Sequence, residues 1–172
     1  MSPGRYAVAG SPVGPLFIAV SSHGLSAVDF LLTGSLDERV AALRQHFPEH
    51  AWAPDTEGVC DRAGAELAGY FAGQLRAFSV PVVLRGTPFQ MAVWQALRAI
   101  PHGQTRTYGH LAAAVGRSMG AARAAGAACG ANPVAIVVPC HRVVGTDGSL
   151  TGFGGGLPAK RWLLRHEGAL IA

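Results

Sequence analysis

A cysteine, a histidine and an arginine stand side by side in the run Val-Val-Pro-Cys-His-Arg-Val-Val at residues 137–144. The thiolate is the nucleophilic form of cysteine, so Cys140 needs a nearby base or cation in order to attack an electrophile. His141 could act as that base and Arg142 as that cation. Neighbours in an extended segment point to opposite faces, however, so contact between Cys140 and His141 requires a tight turn or a bridging water.

A carboxylate further along the chain could complete a catalytic relay. Glu167 lies in the run Arg-His-Glu-Gly at residues 165–168. A carboxylate that holds His141 in one tautomer would give a Cys–His–Glu arrangement. Two structural interpretations compete with this one, because Cys140 after an apolar run suits a small buried side chain and Glu167 near a helix end suits a solvated one. These three residues alone leave both interpretations open.

The other two cysteines, Cys60 and Cys129, fall in predicted helical segments beside small or apolar residues, so we expect them to be packing residues. The sequence has no Cys-x-x-Cys or His-Glu-x-x-His spacing, and we therefore expect no metal site and no cofactor. Three cysteines cannot all pair in disulfides, which favours a reducing, cytoplasmic setting.

Charge is distributed unevenly along the 172 residues. Residues 1–86 contain six arginines and eight acidic residues, a net charge of −2, whereas residues 87–172 contain eight basic and two acidic residues, a net charge of +6. A basic second half favours a polyanion such as nucleic acid, although a solvated surface would give the same pattern. No apolar run approaches the roughly 20 residues that a membrane helix needs, so we expect no membrane partner.

Residues 1–86 are predicted to form a small α/β domain. Two apolar, β-prone runs within residues 16–32 flank a polar segment that contains Gly24, which predicts a hairpin. The segment 80–84 could add a strand, but Pro81 restricts it to a sheet edge or a strand start. We place the domain boundary at the end of this segment, near residues 85–86.

Two helices are expected in the same domain. Ser35 and Glu38 have the spacing of a capping box, which predicts a helix to about His46. Two prolines bracket a predicted loop at 48–54. A second helix is predicted over residues 61–73, where a glycine supplies the stop.

Residues 87–172 are predicted to be mainly helical. The run Thr-Pro-Phe-Gln at 87–90 supplies an N-cap, a proline at the first helical position and a capping-box glutamine. Thr107 can cap a helix that ends near residue 115, and Ser118 can cap another that ends near Gly130. Two short helices joined by a glycine-containing turn suggest a helix-turn-helix, although an ordinary helical hairpin has the same pattern.

The last third of the chain contains shorter elements. A β-branched run at 135–138 leads into the cysteine, and an Asp-Gly turn within 143–153 predicts a hairpin or wing. Pro158 opens a last helix that we expect to end at Gly168. The predicted fold class is thus α/β, with a small N-terminal α/β domain that contains a β-sheet, followed by a mainly helical C-terminal domain with a winged helix-turn-helix.

The sequence resembles the O6-alkylguanine-DNA alkyltransferases over nearly its whole length. The run Pro-Cys-His-Arg-Val at 139–143, preceded by Asn-Pro at 132–133, is similar to the active-site signature of that family. Glu167 also lies at the family's distance from Cys140. Further similar segments, in the family's order, are Gly-Thr-Pro-Phe-Gln at 86–90, Tyr-Gly-His-Leu-Ala at 108–112, Ala-Ala-Arg-Ala at 121–124 and Lys-Arg-Trp-Leu-Leu-Arg-His-Glu-Gly at 160–168.

The resemblance implies a role for each residue around the cysteine. Cys140 would accept an alkyl group by direct displacement at the alkyl carbon, activated by His141 through a water and by Glu167. Asn132 would hold the turn that carries the active-site segment. Tyr108 would donate a proton to the guanine or press on the target phosphate.

The resemblance also implies that a monomer binds double-stranded DNA through the minor groove, with the alkylated base flipped out of the stack. Arg123 would fill the gap that the flipped nucleotide leaves. Small residues would allow the second helix of the helix-turn-helix to approach the DNA closely: Ala121, Ala122 and Gly126. The backbone of three further residues would shape the base pocket: Val143, Phe153 and Gly154.

The sequence departs from the family at two places. The turn at 116–120 is one residue longer than usual and lacks a common proline, and Phe153 stands where tyrosine is frequent. One alternative function is an alkyltransferase-like protein that flags lesions without repairing them, but in those relatives another residue, commonly tryptophan, replaces the cysteine. A cysteine hydrolase or redox sensor would explain neither the helix-turn-helix nor Arg123.

Overall fold

The first half of the chain is built on a four-stranded sheet in the order β3-β2-β1-β4. In the computed structural model, which describes residues 1–170, the strands are β1 (Ser2–Ala9), β2 (Leu16–Ser21), β3 (Gly24–Phe30) and β4 (His50–Pro54). Strand β1 runs antiparallel to β2 and parallel to β4, and β2 runs antiparallel to β3. The hairpin predicted within residues 16–32 is confirmed.

Two other predictions for this half are wrong. The loop expected at 48–54 contains β4, in which His50 and Trp52 are buried while the backbone pairs with β1. The segment 80–84 forms a single bridge from Val82 to Leu25 rather than a strand. Pro81 has no amide N–H to donate to a longer ladder.

Two helices accompany the sheet, α1 (Leu36–His46) and α2 (Asp61–Phe71). Helix α1 begins with the predicted capping box, in which the Glu38 amide donates to Ser35 Oγ over 3.2 Å and the Ser35 amide donates to Glu38 Oε2 over 2.9 Å. The buried core between sheet and helix consists of Phe17, Ala19, Val40, Leu43, Phe47 and Trp52. These elements form a compact unit that spans Met1–Leu84.

The second unit begins at Arg85 and is mainly helical. Its helices are α3 (Pro88–Arg98), α4 (Tyr108–Ala114), α5 (Ala122–Gly130) and α6 (Leu157–His166). The side chains of Thr87 and Thr107 cap α3 and α4, as predicted. Buried Trp94 on α3 donates its indole N–H to the Ala128 carbonyl over 2.9 Å, which fixes α5 against α3. None of the described helices is long and apolar enough to cross a membrane.

Helices α4 and α5 pack against each other in the order expected of the helix-turn-helix. A 3₁₀ turn, Met119–Ala121, comes directly before α5. The cap predicted at Ser118 is wrong, because its side chain makes no capping hydrogen bond and α5 begins only at Ala122.

The segment before the cysteine is a tight turn, although the β-branched residues at 135–138 favour extended backbone. The Val138 amide donates to the Val134 carbonyl over 2.9 Å, and Ile136 has a φ of +72°, which is rare for a β-branched residue. A 3₁₀ turn over Cys140–Arg142 follows directly. The backbone therefore provides the kind of turn that an interaction between Cys140 and His141 requires.

Strand β6 (Val143–Val144) follows the cysteine segment and pairs in parallel with β5 (Arg106–Thr107). The predicted Asp-Gly turn is present, since the Gly145 amide donates to the Ser149 carbonyl over 2.8 Å. The predicted hairpin is wrong, because residues 149–156 contain no returning strand. The α/β fold class, with a sheet-containing first unit and a mainly helical second unit, is confirmed.

Candidate functional site

The sulfur-bearing residue Cys140 lines a cavity of about 580 Å³ in the second unit. The turn at 134–138 and the 3₁₀ turn at 140–142 carry this residue to the cavity, where it is 8% exposed. Elements α4, α5 and the segment 151–154 form the other walls. Of the residues predicted for the site, the cavity is lined by Tyr108, Ala122, Arg123, Gly126, Cys140, Phe153 and Gly154.

Two predicted pocket or DNA residues lie outside this lining. Val143 is fully buried in β6, directly after the 3₁₀ turn over Cys140–Arg142. Ala121 is half-buried in the 3₁₀ turn just before α5. Both are adjacent in sequence to the site, but their side chains do not face the cavity.

Asn132 connects both ends of the turn that carries the cysteine. Its amide Nδ2 donates to the Val138 carbonyl over 2.8 Å and contacts Cys140 Sγ at 3.2 Å. Its Oδ1 accepts a hydrogen bond from the Val134 amide over 3.0 Å. The side chain thus holds the turn and also directs an N–H group at the sulfur, which favours a negatively charged sulfur.

His141 and Glu167 form a buried pair behind the cysteine. Their Nε2 and Oε1 atoms lie 2.7 Å apart, and both side chains are completely buried. Burial lowers the pKa of His141, and the opposing effect of Glu167 is smaller, so the imidazole is neutral at pH 7. Burial raises the pKa of Glu167, but hydrogen bonds from His141 and Arg142 outweigh this and hold the pKa far below its usual range.

These two protonation states determine the tautomer of the histidine. An ionised carboxylate can only accept hydrogen bonds. His141 Nε2 therefore carries the proton and donates a hydrogen bond to Glu167. The lone pair of the neutral imidazole is then on Nδ1. Among residues 1–170, Nδ1 has no hydrogen-bond partner although it is buried. The imidazole can therefore accept a proton at Nδ1.

Arg142 does not act on the cysteine, although the sequence allowed that role. Its Nε and Nη2 atoms donate to the two oxygens of Glu167 over 2.8 and 3.0 Å, and Nη1 donates to the Ile100 carbonyl over 2.6 Å. Such a bidentate pair fixes the carboxylate in place and compensates its charge. The arginine is therefore a partner of Glu167 and keeps it ionised.

Lys160 bonds to two residues of the cavity wall, and the sequence did not single it out, because a lysine in the first turns of a helix usually extends into solvent. Here its side chain is completely buried. Its Nζ donates to the Thr151 carbonyl over 2.9 Å and to Tyr108 Oη over 3.4 Å. Tyr108 Oη in turn donates to the same carbonyl over 3.2 Å, and burial raises the tyrosine pKa. One feature of the sequence could have indicated that Lys160 is buried: it lies between apolar residues of α6 that are themselves buried.

The helix α5 presents an exposed arginine and small residues beside the cavity. Arg123 lies in its first turn and is exposed. Gly126 lies close to Tyr108, since a Cβ atom placed there would be 3.7 Å from the tyrosine ring. Cys129, predicted as a packing residue, is buried but also lines the cavity. Burial, followed by the charge of Cys140, raises the pKa of Cys129 to about 12.

Residues 1–170 contain no group of three His, Cys, Asp or Glu side chains that could hold a metal ion. The buried histidine and glutamate instead bond to each other and to the arginine. The chemistry available at this site is therefore that of a thiol with a neutral histidine base, in a cavity large enough for a planar ring.

Comparison with known families matches both units of the chain. Residues 5–84 match the family described as 6-O-methylguanine DNA methyltransferase, ribonuclease-like domain. Residues 88–169 match the family described as 6-O-methylguanine DNA methyltransferase, DNA binding domain. The two matches meet at the boundary between the two compact units.

Individual relatives agree with the family matches. The chain is 47% identical to a methylated-DNA--protein-cysteine methyltransferase of Salmonella typhimurium over 165 residues, which cover 94% of each chain. It is 46% identical to the Mycobacterium tuberculosis protein of the same name, with 95% of this chain and 92% of that one covered.

Solved structures give the same result. The crystal structure of Mycobacterium tuberculosis O6-methylguanine methyltransferase has a TM-score of 0.83 and 43% identity, with 98% of this chain and 95% of that one covered. A crystal structure described as Mycobacterium tuberculosis OGT in complex with DNA has a TM-score of 0.82 and 45% identity, with 96% and 93% covered. The chain therefore belongs to the 6-O-methylguanine DNA methyltransferase family.

Proposed function

We propose that this protein repairs alkylated DNA by direct reversal, moving the alkyl group of O6-alkylguanine, and of O4-alkylthymine if it is accepted, to its own Cys140. The observation that carries the proposal is the position of Cys140 in the wall of an open cavity, with a neutral histidine base and its carboxylate partner in the same second unit. The names of the curated relatives describe the same chemistry.

The transfer is a displacement at the alkyl carbon. The Cys140 sulfur forms a bond to that carbon, while the bond from the carbon to O6 breaks and its electron pair leaves with the guanine. The thiol proton passes to Nδ1 of His141 through a water, and Glu167 stabilises the imidazolium that results. The displaced guanine takes up one proton. No cofactor takes part in this balance.

Tyr108 is the group in the cavity best suited to supply that proton to the guanine. It lines the cavity together with Cys140, and its hydroxyl is held by the Thr151 carbonyl. Its raised pKa keeps the hydroxyl protonated at neutral pH. The product, a thioether on Cys140, is chemically inert, so each molecule acts once.

The partner is double-stranded DNA, bound by the helix-turn-helix through the minor groove. A stacked guanine cannot reach a buried sulfur, so the base has to be flipped into the cavity. Arg123 is exposed beside the cavity and would fill the gap that the flipped base leaves in the DNA stack. The small side chains of Ala121, Ala122 and Gly126 would let α5 approach the DNA backbone closely. The phosphates attract the basic second half of the chain. We expect a monomer, and the cytoplasmic location stays a prediction.

The roles of the remaining predicted residues follow from their positions. Asn132 holds the cysteine turn and donates to the sulfur. Phe153 and Gly154 lie in the cavity wall, where the base would lie. Val143 contributes through its backbone in β6.

A stoichiometric assay tests this function. Duplex DNA with one radiolabelled O6-methylguanine is mixed with the protein in increasing amounts, and the label transferred to protein is counted. We expect transfer to stop at one methyl group per protein molecule and to be abolished in Cys140→Ala. Multiple turnovers, or transfer by Cys140→Ala, would refute it, and tight lesion binding without transfer would favour the lesion-flagging alternative.

A further inference from the structure

A second cavity of the C-terminal unit, with a volume of about 550 Å³, lies between the end of α3, strand β5 and helix α4. Two of its lining residues, Ile100 and Leu111, are buried, and two others, Arg106 and His110, are exposed. Its remaining lining residues are alanines: Ala96, Ala99 and Ala114. Of the described residues, none lines both this α3–α4 groove and the cavity of Cys140.

The wall of the α3–α4 groove is mainly apolar and its side chains are short. Alanines on both helices leave the space between the helices open, so the backbone of another helix could approach closely, and Ile100 and Leu111 offer apolar contacts. An amphipathic helix binds to such grooves through the apolar side chains of one face. A phosphate backbone, in contrast, is bound by polar and charged groups.

The charged group at the groove is an arginine without a countercharge. Arg106 donates from Nη1 to the Thr105 carbonyl over 2.8 Å and from Nη2 to Gln104 Oε1 over 3.2 Å, and both acceptors are neutral. Within residues 1–170 no carboxylate forms an ion pair with it. The sequence contains no Asp or Glu between Glu66 and Asp147, so α3, β5 and α4 supply no negative charge of their own.

We propose that the α3–α4 groove is a docking site for an acidic amphipathic helix of another protein. The apolar face of that helix would contact Ile100, Leu111 and the alanines, and a carboxylate beside this face would pair with Arg106. Tyr108 and Arg123, which we expect to meet the flipped base and the DNA stack, line the other cavity. The protein could therefore bind the partner and DNA at the same time.

Fluorescence anisotropy with labelled peptides tests the docking. The probe is a peptide of about 14 residues, roughly four helical turns, with leucines on one face and glutamates on the other. One control peptide has lysine in place of glutamate, and a second has serine in place of leucine. We expect the probe to bind about tenfold or more tightly than either control. Equal binding of the serine peptide would reduce the interaction to net charge and would overturn the proposal.

Two substitutions with matched controls locate the bound peptide. Ala114→Gln places a larger neutral side chain in the groove and should weaken binding of the probe by about tenfold or more. Ala113→Gln alters the neighbouring exposed alanine, which does not line the groove, and should have no effect. Arg106→Gln should weaken binding by about three- to fivefold, as loss of one exposed ion pair does. Arg76→Gln, in the first unit, should not. Equal affinities for the Ala114→Gln and Ala113→Gln proteins would contradict the proposed site.

Binding of unmodified duplex DNA separates a protein partner from DNA at this groove. We expect Ala114→Gln to bind the duplex as the unaltered protein does, whereas Arg123→Ala should bind it more weakly. A loss of duplex affinity in Ala114→Gln as large as in Arg123→Ala would assign the groove to the DNA surface and overturn the proposal. None of these measurements involves alkyl transfer, so docking can fail while the function of Cys140 stands, and the reverse.

Discussion

Lys160 lies in α6, and Glu167 lies seven residues later at its C-terminal end. Seven residues make about two helical turns, so both side chains leave the same face of the helix. Lys160 bonds to groups in the wall of the cavity, whereas Glu167 bonds to His141 and Arg142 behind the cysteine. One helix thus positions a cation and an anion around the segment that carries Cys140.

Replacing Glu167 by glutamine should impair both folding and reaction. The glutamine leaves Arg142 buried without a countercharge and no longer fixes the His141 tautomer. We expect the free energy of unfolding to fall by about 3–5 kcal/mol, and the rate of alkyl transfer to fall by at least tenfold. Urea unfolding and single-turnover kinetics measure the two effects.

The matched control for that substitution is Glu57→Gln. Glu57 pairs with Arg5 at the surface over 3.1 Å and is 61% exposed. Its replacement should change the free energy of unfolding by no more than about 1 kcal/mol. Equal losses for Glu57→Gln and Glu167→Gln would contradict the importance of the buried pair.

The stabilisation from Glu167 should depend on pH. Its pKa in the folded protein is far below the value of about 4.3 expected in the unfolded chain. The unfolded chain therefore binds the proton more tightly, so the stabilisation is complete above that value and is lost as the pH falls below it. The difference in unfolding free energy between the unaltered protein and Glu167→Gln should be smaller at pH 3.5 than at pH 7. A difference that grows on acidification would have the wrong sign.

Asn132→Asp should weaken the nucleophile while retaining part of the turn. The aspartate still accepts from the Val134 amide, but it loses the N–H groups and puts a negative charge where Nδ2 lies 3.2 Å from the sulfur. Like charges disfavour ionisation, so we expect Cys140 to react with iodoacetamide at half its maximal rate only at a higher pH. Unchanged reactivity would show that the amide does not act on the sulfur.

Arg123→Ala should separate base flipping from chemistry. The arginine is exposed beside the cavity and is not part of the relay. Extruding a base costs a few kcal/mol, which a side chain in the vacated stack helps to offset. We expect repair of duplex DNA to slow by roughly tenfold or more, and reaction with free O6-alkylguanine to change little. Arg76→Ala, which removes an exposed arginine from the first unit, should leave both rates unchanged, whereas equal losses on both substrates in Arg123→Ala would exclude the stack-filling role.

Elements whose signals are local in sequence could be predicted, as the capping boxes at Ser35 and Thr87 and the hairpin at 16–32 illustrate. Strand β4 was missed because its parallel pairing with β1 connects residues nearly fifty positions apart. The turn before Cys140 could not be predicted from its β-branched residues, which favour strands, because Asn132 and the surrounding contacts hold Ile136 at a positive φ.

The candidate site shows the same division. Resemblance to a family identified the residues that the structure brings together, but the partners of charged side chains depend on tertiary contacts. Arg142 bonds to Glu167 rather than to the cysteine, and Lys160 is buried where a helix surface usually meets solvent. Cys129 faces the cavity that Cys140 lines, which its predicted packing role did not include.

The most direct measurement is the mass of the cysteine peptides after the protein has reacted with duplex DNA that contains O6-methylguanine. The peptide with Cys140 should gain the mass of one methyl group, and those with Cys60 and Cys129 should stay unmodified. A methyl group on another residue, or loss of the lesion with Cys140 unmodified, would contradict the assignment of Cys140 as the alkyl acceptor.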